Sequence, residues 1–197
     1  MKQFCINSAI NFLKKYHNYS DLEIKKLRYG LEGLYLTFSK LIVIFLLALL
    51  LGIIKEVFII MILFNIIRYF GFGFHAEKSF QCLILSIFNF VIIPYTFIHI
   101  DNSLFFNLIV SFICVFVFLI FAPADTIKRP LNNKKKRIVR KILTVLTALL
   151  YILVMILINK EYYSDLILSS LIIQLIVVNP LTYKLFNQPF NNYKSIN

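Results

Sequence analysis

Six apolar runs divide the chain, separated by short polar breaks. They cover about residues 36–54, 56–67, 80–98, 104–122, 142–159 and 166–181. Most approach the ~20 helical residues needed to cross ~30 Å of hydrocarbon. The run at 56–67 is short, because a dozen helical residues rise only ~18 Å. Either residues 68–74 complete it, or it stops inside the bilayer. In the second case the glycine-bearing break after it lies below the headgroups, where irregular backbone needs protein or a water-filled cavity around it. Ahead of the first run, Ile6, Ile10 and Leu13 recur near helical spacing, followed by Leu22, Leu27, Leu31 and Leu34. Lys14, Lys15, Lys25, Lys26 and Arg28 stand beside them. This pattern predicts amphipathic helices lying in the interface over residues 1–35. The expected class is all-α: a polytopic membrane protein with about six transmembrane helices over residues 36–181. Residues 182–197 are expected to form a cytoplasmic tail.

Composition agrees with lipid as the solvent. Hydrophobic residues make up 60% of 197 residues, more than a soluble domain of this size can hide. The formal net charge is +12. Its basic residues lie between the apolar runs, where they set membrane orientation, so no nucleic-acid partner is expected. Residues 1–40 carry seven Lys/Arg and residues 128–141 carry eight, which places both regions in the cytoplasm. Six spans then put both termini, and the loop holding Arg68, His75 and Lys78, on the same side. Three cysteines (Cys5, Cys82 and Cys114) are too scattered for a disulfide framework or a zinc site, and no metal or cofactor is expected. No cleavable signal peptide is expected.

The polar break is where the candidate chemistry sits. His75 and Cys82 flank it, a potential base and a potential nucleophile at the edge of a bilayer. On a continuous helix seven residues separate them by ~10 Å, too far for a working pair. Gly71 and Gly73 permit a break. Ser79 is the expected N-cap of the third span, which puts Cys82 in its first turn. A helix N-terminus favours a thiolate there, with Arg68 and Lys78 adding to the field, while burial in lipid opposes it. Gly73, Arg68 and Gln81 are candidate oxyanion donors. Glu77, Asn65 and Asp125 are each near enough in sequence to orient the base, and none is assigned. The blander alternative stays open: a cysteine opening a membrane helix also serves as a small apolar filler.

The residues Arg68, Gly73-Phe74-His75-Ala76 and Cys82 resemble the signature of the AgrB (accessory gene regulator protein B) family. The resemblance extends to Arg28-Tyr29-Gly30-Leu31-Glu32 and to Phe121-Ala122-Pro123-Ala124-Asp125-Thr126 with Arg129-Pro130, and so covers nearly the whole chain. One departure is Phe72, where many members carry glycine. The resemblance implies a membrane-embedded cysteine endopeptidase with His75 and Cys82 as its catalytic pair. It further implies an AgrD-like propeptide as substrate, a cyclic thiolactone or lactone product used in quorum sensing, and a homodimer.

Two features have competing explanations. The basic cluster containing Lys128, Arg129, Lys134, Lys135, Lys136 and Arg137 is a topogenic signal, or a docking surface for anionic lipid or an acidic propeptide tail. Asn65, Asn89, Asn107, Gln174 and Asn179 are expected to act as interhelical glue. The runner-up function is a non-catalytic membrane protein that binds or exports a peptide. A transporter needs a charged or polar path, and the expected spans hold almost no charge.

Overall fold

The computed structural model describes residues 2–17, 19–76, 78–100, 102–126 and 130–192. Among these, apart from one isolated β-bridge, the regular elements are helical. They are α1 Lys2–Lys14, α2 Asp21–Leu50, α3 Ile54–Gly71, α4 Ser79–Ile87, a π turn Phe88–Ile92, and α5 Ile93–His99. After these come α6 Leu104–Phe121, α7 Lys134–Ile158, α8 Glu161–Val178 and α9 Pro180–Leu185. Among the described residues five stretches are long and apolar enough to cross a membrane: α2, the stretch Ser79–His99, α6, α7 and α8. The protein is an all-α, polytopic membrane protein. As for α3, it matches α6 in length at 18 residues but carries Lys55, Glu56 and Arg68. Its helix continues past the short second run through Arg68 to Gly71, a rise of ~27 Å, yet with these three charges it is not among the five, where six spans were expected.

The chain forms two compact units, Met1–Leu46 and Leu47–Asn197. In the first, α1 buries Ile6 and Ile10, one turn apart, and exposes Phe4 and Phe12. A capping box opens α2: the Ser20 N–H donates to Glu23 Oε2 at 2.8 Å, and the Glu23 N–H to Ser20 Oγ at 3.4 Å. The helix then runs on without interruption at residue 35, where the interfacial region was expected to end. No proline stands near that point, and Leu31, Leu34 and Leu36 keep the helical pattern despite Gly30 and Gly33, so nothing in the local sequence stops the helix.

In the second unit α8 is central, packed against α3, α5, α6 and α7. Its Ser164, Ser169 and Ser170 are fully buried, and such small residues let neighbouring helices approach closely. Asn107 of α6 donates from Nδ2 to Ser164 Oγ at 2.6 Å and to Asp165 Oδ1 at 2.8 Å. Asp165 corrects the expectation of nearly charge-free spans. Its helix starts at Glu161 rather than 166, which carries an acidic residue into the packed interior. Pro94 shapes the span before it. It lacks an N–H, and its ring crowds the carbonyl four residues back. The helix accommodates it by widening the preceding turn, with the Ile93 N–H donating to Phe88 O.

One end of this unit is spliced together by backbone. Past Gly71, the Gly73 N–H donates to Ala124 O at 2.9 Å, and the Ala124 N–H to Gly71 O at 3.1 Å. The Phe74 N–H donates to Val177 O at 2.6 Å. Gln174 Nε2 donates to Phe72 O, and Arg68 Nη2 to Phe74 O, each at 3.0 Å. Contact with backbone requires glycine at Gly73, while at Gly71 the nearest atom is the movable end of a side chain. A Cβ on Gly71 would meet Gln174 Nε2 at 2.6 Å, and one on Gly73 would meet the Val177 carbonyl oxygen at 2.9 Å. Gly73 also has φ +131°, which side chains rarely adopt.

The expected cytoplasmic tail is part of this splice. Tyr183 is buried and donates from its hydroxyl to Ala124 O at 3.3 Å and Asp125 O at 3.1 Å. The buried Asp125 carboxylate accepts from the Asn192 N–H at 2.9 Å and the Leu131 N–H at 3.3 Å. Phe74 packs edge-on against Tyr183 and tilted against Phe186, with ring centroids 5.5 Å and 4.8 Å apart. Burial raises the Tyr183 phenol well above its ordinary range, Asp125 adds to this, and Arg68 opposes it. Tyr183 therefore stays a neutral donor at any working pH.

Three stability outcomes follow, all read as melting temperature in detergent micelles. Gly73→Ala should lose at least ~2 kcal/mol through overpacking and backbone strain. Gly30→Ala, which meets open space within α2, should be neutral or gain up to ~1 kcal/mol. Asp125→Ala should cost about 2–3 kcal/mol, because the Asn192 and Leu131 N–H groups lose a charged acceptor.

Candidate functional site

The splice determines how His75 is displayed. Its neighbours Phe74 and Ala76 are buried, at 1% and 5% exposure, whereas His75 itself is exposed. Two anchored residues thus hold an exposed imidazole between them. His75 Nδ1 lies 3.0 Å from Ala76 O. In the tautomer that donates this hydrogen bond, Nε2 keeps the basic lone pair.

Cys82 is the fourth residue of α4 and half-buried, its body packed against the main hydrophobic core. Its N–H closes the first helical hydrogen bond, to Lys78 O at 3.0 Å. The N-cap is Lys78, not the expected Ser79. Lys78 has extended backbone angles and no capping side-chain bond, and Ser79 is already helical. The N–H groups of Ser79, Phe80 and Gln81 therefore lie outside the ladder of α4 and form its positive end. Ser86, one turn on, donates from Oγ to Cys82 O at 2.7 Å. The structure places His75 and Cys82 on consecutive elements, and no hydrogen bond joins them among the described residues.

The supporting residues divide by use. Gly73, expected to offer its N–H to an oxyanion, has that group committed to Ala124 O. Arg68 serves the loop directly, holding the Phe74 carbonyl just before His75, with its guanidinium 5.2 Å from the Phe64 ring centroid. Gln81 is half-buried in the first turn of α4, one residue before Cys82. Asp125 is occupied with Asn192 and Leu131 in the splice, as described above. Asn65 donates to Met61 O of its own helix at 2.7 Å. Glu77 lies outside the described residues.

The basic cluster is heterogeneous. Lys134, Lys135 and Lys136 are exposed in the first turn of α7, and Arg137 is half-buried. Four cations there oppose the helix dipole, at a cost of some tenths of a kcal/mol each, so local helix stability does not account for them. Arg140 and Lys141 behave differently. Arg140 Nη1 donates to Tyr69 O at 2.7 Å with its guanidinium 4.2 Å from the Phe72 ring centroid, and Lys141 Nζ donates to Leu119 O at 2.8 Å. Each cation caps the C-terminal carbonyls of a neighbouring helix, α3 or α6. Lys128 and Arg129 lie outside the described residues.

Phe72, the departure noted in the sequence, has φ 53° and ψ −140°, a region that favours glycine. The stacked Arg140 and the Gln174 bond to its carbonyl hold it there. Sequence reasoning missed Tyr183, Asn192 and the anchoring role of Gln174. A signal was present: Tyr183, Phe186 and Phe190 recur at near-helical spacing in a segment read as tail.

Comparison with known proteins places the chain. The AgrB family, accessory gene regulator B, matches residues 6–178. A putative AgrB-like protein of Clostridium acetobutylicum is 32% identical over 185 residues, covering 92% of this chain and 87% of that protein. A putative AgrB-like protein of Listeria monocytogenes (serovar 1/2a) is 32% identical, covering 86% of this chain and 83% of its own. The accessory gene regulator protein B of Staphylococcus aureus (strain JH9) is 29% identical, covering 90% of this chain and 94% of its own. No solved structure matches the chain. An all-α polytopic membrane protein with this loop-to-helix junction, the chain belongs to the accessory gene regulator B (AgrB) family.

Proposed function

We propose that the protein is a membrane cysteine endopeptidase that cleaves an AgrD-like propeptide, with Cys82 as nucleophile and His75 as base. Membership of the AgrB family supports a role in accessory gene regulator quorum sensing. The observation that carries the finer reading is the display of His75. It is the exposed residue between two buried ones, on a loop held by five hydrogen bonds around Gly71, Phe72, Gly73 and Phe74. The loop leads into the helix whose first turn holds Cys82.

The chemistry proceeds in two acyl transfers. His75 Nε2 takes the Cys82 proton, and the thiolate attacks a carbonyl near the propeptide's C-terminal region. The oxyanion is stabilised at the N-terminus of α4 by the N–H groups of Ser79, Phe80 and Gln81, in place of Gly73. The C–N bond breaks, and the proton on His75 goes to the departing amine. An acyl-thioester remains on Cys82. A propeptide Cys or Ser side chain then attacks it, loses its proton to His75, and releases Cys82 as the ring closes. Lipid-facing surroundings limit hydrolysis of the thioester, and a tethered nucleophile makes the second transfer intramolecular.

The basic residues Lys134, Lys135, Lys136, Arg137, Arg140 and Lys141 all lie toward the end of the protein bearing His75, which faces that end to the cytoplasm by the positive-inside rule. Lys134–Arg137 dock the acidic propeptide tail or anionic headgroups. A homodimer is the working assembly by family resemblance. The runner-up, a peptide-binding or peptide-export protein, draws support from Asp165, an ionisable residue buried within a span.

In proteoliposomes with the cognate propeptide, the wild type should release a C-terminal fragment and carry an acyl adduct on Cys82, read by mass spectrometry. Cys82→Ala should abolish both. His75→Ala should lower the rate about 10²–10⁴-fold while the thiol remains. Cleavage that persists without Cys82 would exclude the mechanism, and binding without cleavage by the wild type would favour the export reading. In inside-out vesicles of a Cys5→Ser, Cys114→Ser variant, a membrane-impermeant maleimide should label Cys82. In right-side-out vesicles it should not, and the reverse result would invert the orientation.

A further inference from the structure

Three buried side-chain carbonyls lack a hydrogen-bond partner among the described residues: those of Asn89, Asn107 and Gln174. The last two belong to amides that already anchor something, Asn107 through Ser164 and Asp165, Gln174 through Phe72. Asn89 is different in its position. It lies four and seven residues beyond Leu85 and Cys82, and shares a helix face with Cys82 and Ser86. This face is half-exposed at Cys82 and Ser86 and closes at Asn89, which is 4% exposed. Asn89 is also the middle residue of the 21-residue span Ser79–His99, and it sits in the widened π turn, a device that recurs at functional sites.

An unsatisfied carbonyl at this depth costs roughly 1–3 kcal/mol that an apolar residue would not. Interhelical glue, the role expected for Asn89, would need a partner. The missing partner is a donor. A peptide strand entering from Cys82 brings one N–H per residue, and each needs an acceptor in a medium without water. Asn89 lies ~10 Å along the helix from Cys82. An extended strand rises ~3.3 Å per residue, so the distance corresponds to about three residues.

We propose that Asn89 is a substrate-binding residue. Its side-chain carbonyl accepts a main-chain N–H of the propeptide about three residues from the scissile carbonyl, with the strand lying along the Cys82–Ser86–Asn89 face inside the membrane. This rests on the endopeptidase reading. It adds that the substrate reaches the middle of the bilayer rather than staying at the surface, and it names what receives it there.

The test compares wild type with Asn89→Leu in proteoliposomes. The substrates are the cognate propeptide and a series of it N-methylated at single main-chain nitrogens near the cleavage point. Asn89→Leu should melt no lower than wild type and should be alkylated at Cys82 by iodoacetamide at an unchanged rate. Its kcat/KM for the unmodified propeptide should fall at least ~10-fold. In wild type, one N-methyl position about three residues from the scissile bond should cause a similar fall, and in Asn89→Leu that methyl should cause little further loss. Cleavage by Asn89→Leu within twofold of wild type would overturn the proposal, as would equal sensitivity of both proteins to every N-methyl. The series on the unmutated protein decides the matter if the variant does not assemble. A wild type that forms no Cys82 adduct would instead overturn the endopeptidase reading underneath it, an outcome distinct from both.

Discussion

Backbone that leaves a helix among apolar neighbours must find its hydrogen bonds in protein, and this requirement organises the site end of the molecule. α3 stops at Gly71, and the chain turns sharply through Phe72 and Gly73. The polar groups exposed by that turn are met from three places: Ala124 beyond α6, Val177 and Gln174 on α8, and Arg68 on α3 itself. A loop held by three helices has little freedom to move independently of them. The position of His75 is therefore a property of the helix packing, and a change as distant as a repacked α8 would reach it through Val177.

The same economy extends to charge. Two of the basic residues that the sequence offers as orientation signals also terminate helices: Arg140 caps α3 and Lys141 caps α6. Arg140 further stacks on Phe72, whose backbone lies where glycine is favoured. At a turn that glycine would relieve by omitting a side chain, this chain keeps an aromatic ring and stacks a guanidinium on it. The exposed cations Lys134, Lys135 and Lys136 sit against the dipole of α7 and so add nothing to its helix stability.

Much of this was legible in the sequence. Apolar run length sufficed for α6 and for Ser79–His99, because lipid imposes a length on helices regardless of detail. The glycines flanking Phe72 marked the break, and Cys82 fell in the first turn of α4. What the sequence concealed depended on contacts between distant residues. Nothing local says that the carbonyl of Val177 meets the N–H of Phe74, or that Asp125 waits for Asn192. The boundary errors have local causes. Residue 35 lies in the interior of a helix nucleated at the Ser20–Glu23 box, and hydropathy alone began α8 five residues late, which hid Asp165. The terminal segment was read as tail because it is polar on average, although its aromatic residues are periodic.

That last segment has a consequence for biosynthesis. Tyr183 and Phe186, which clasp Phe74, leave the ribosome roughly a hundred residues after His75 does. Asn192, which closes the Asp125 carboxylate, follows later still. Helices α3 to α8 are therefore all synthesised before the residues that lock the loop. A nascent chain stalled in the membrane thus carries both His75 and Cys82 without the clasp that fixes the loop, and a cell that truncates the message late would accumulate an inserted but slack protein.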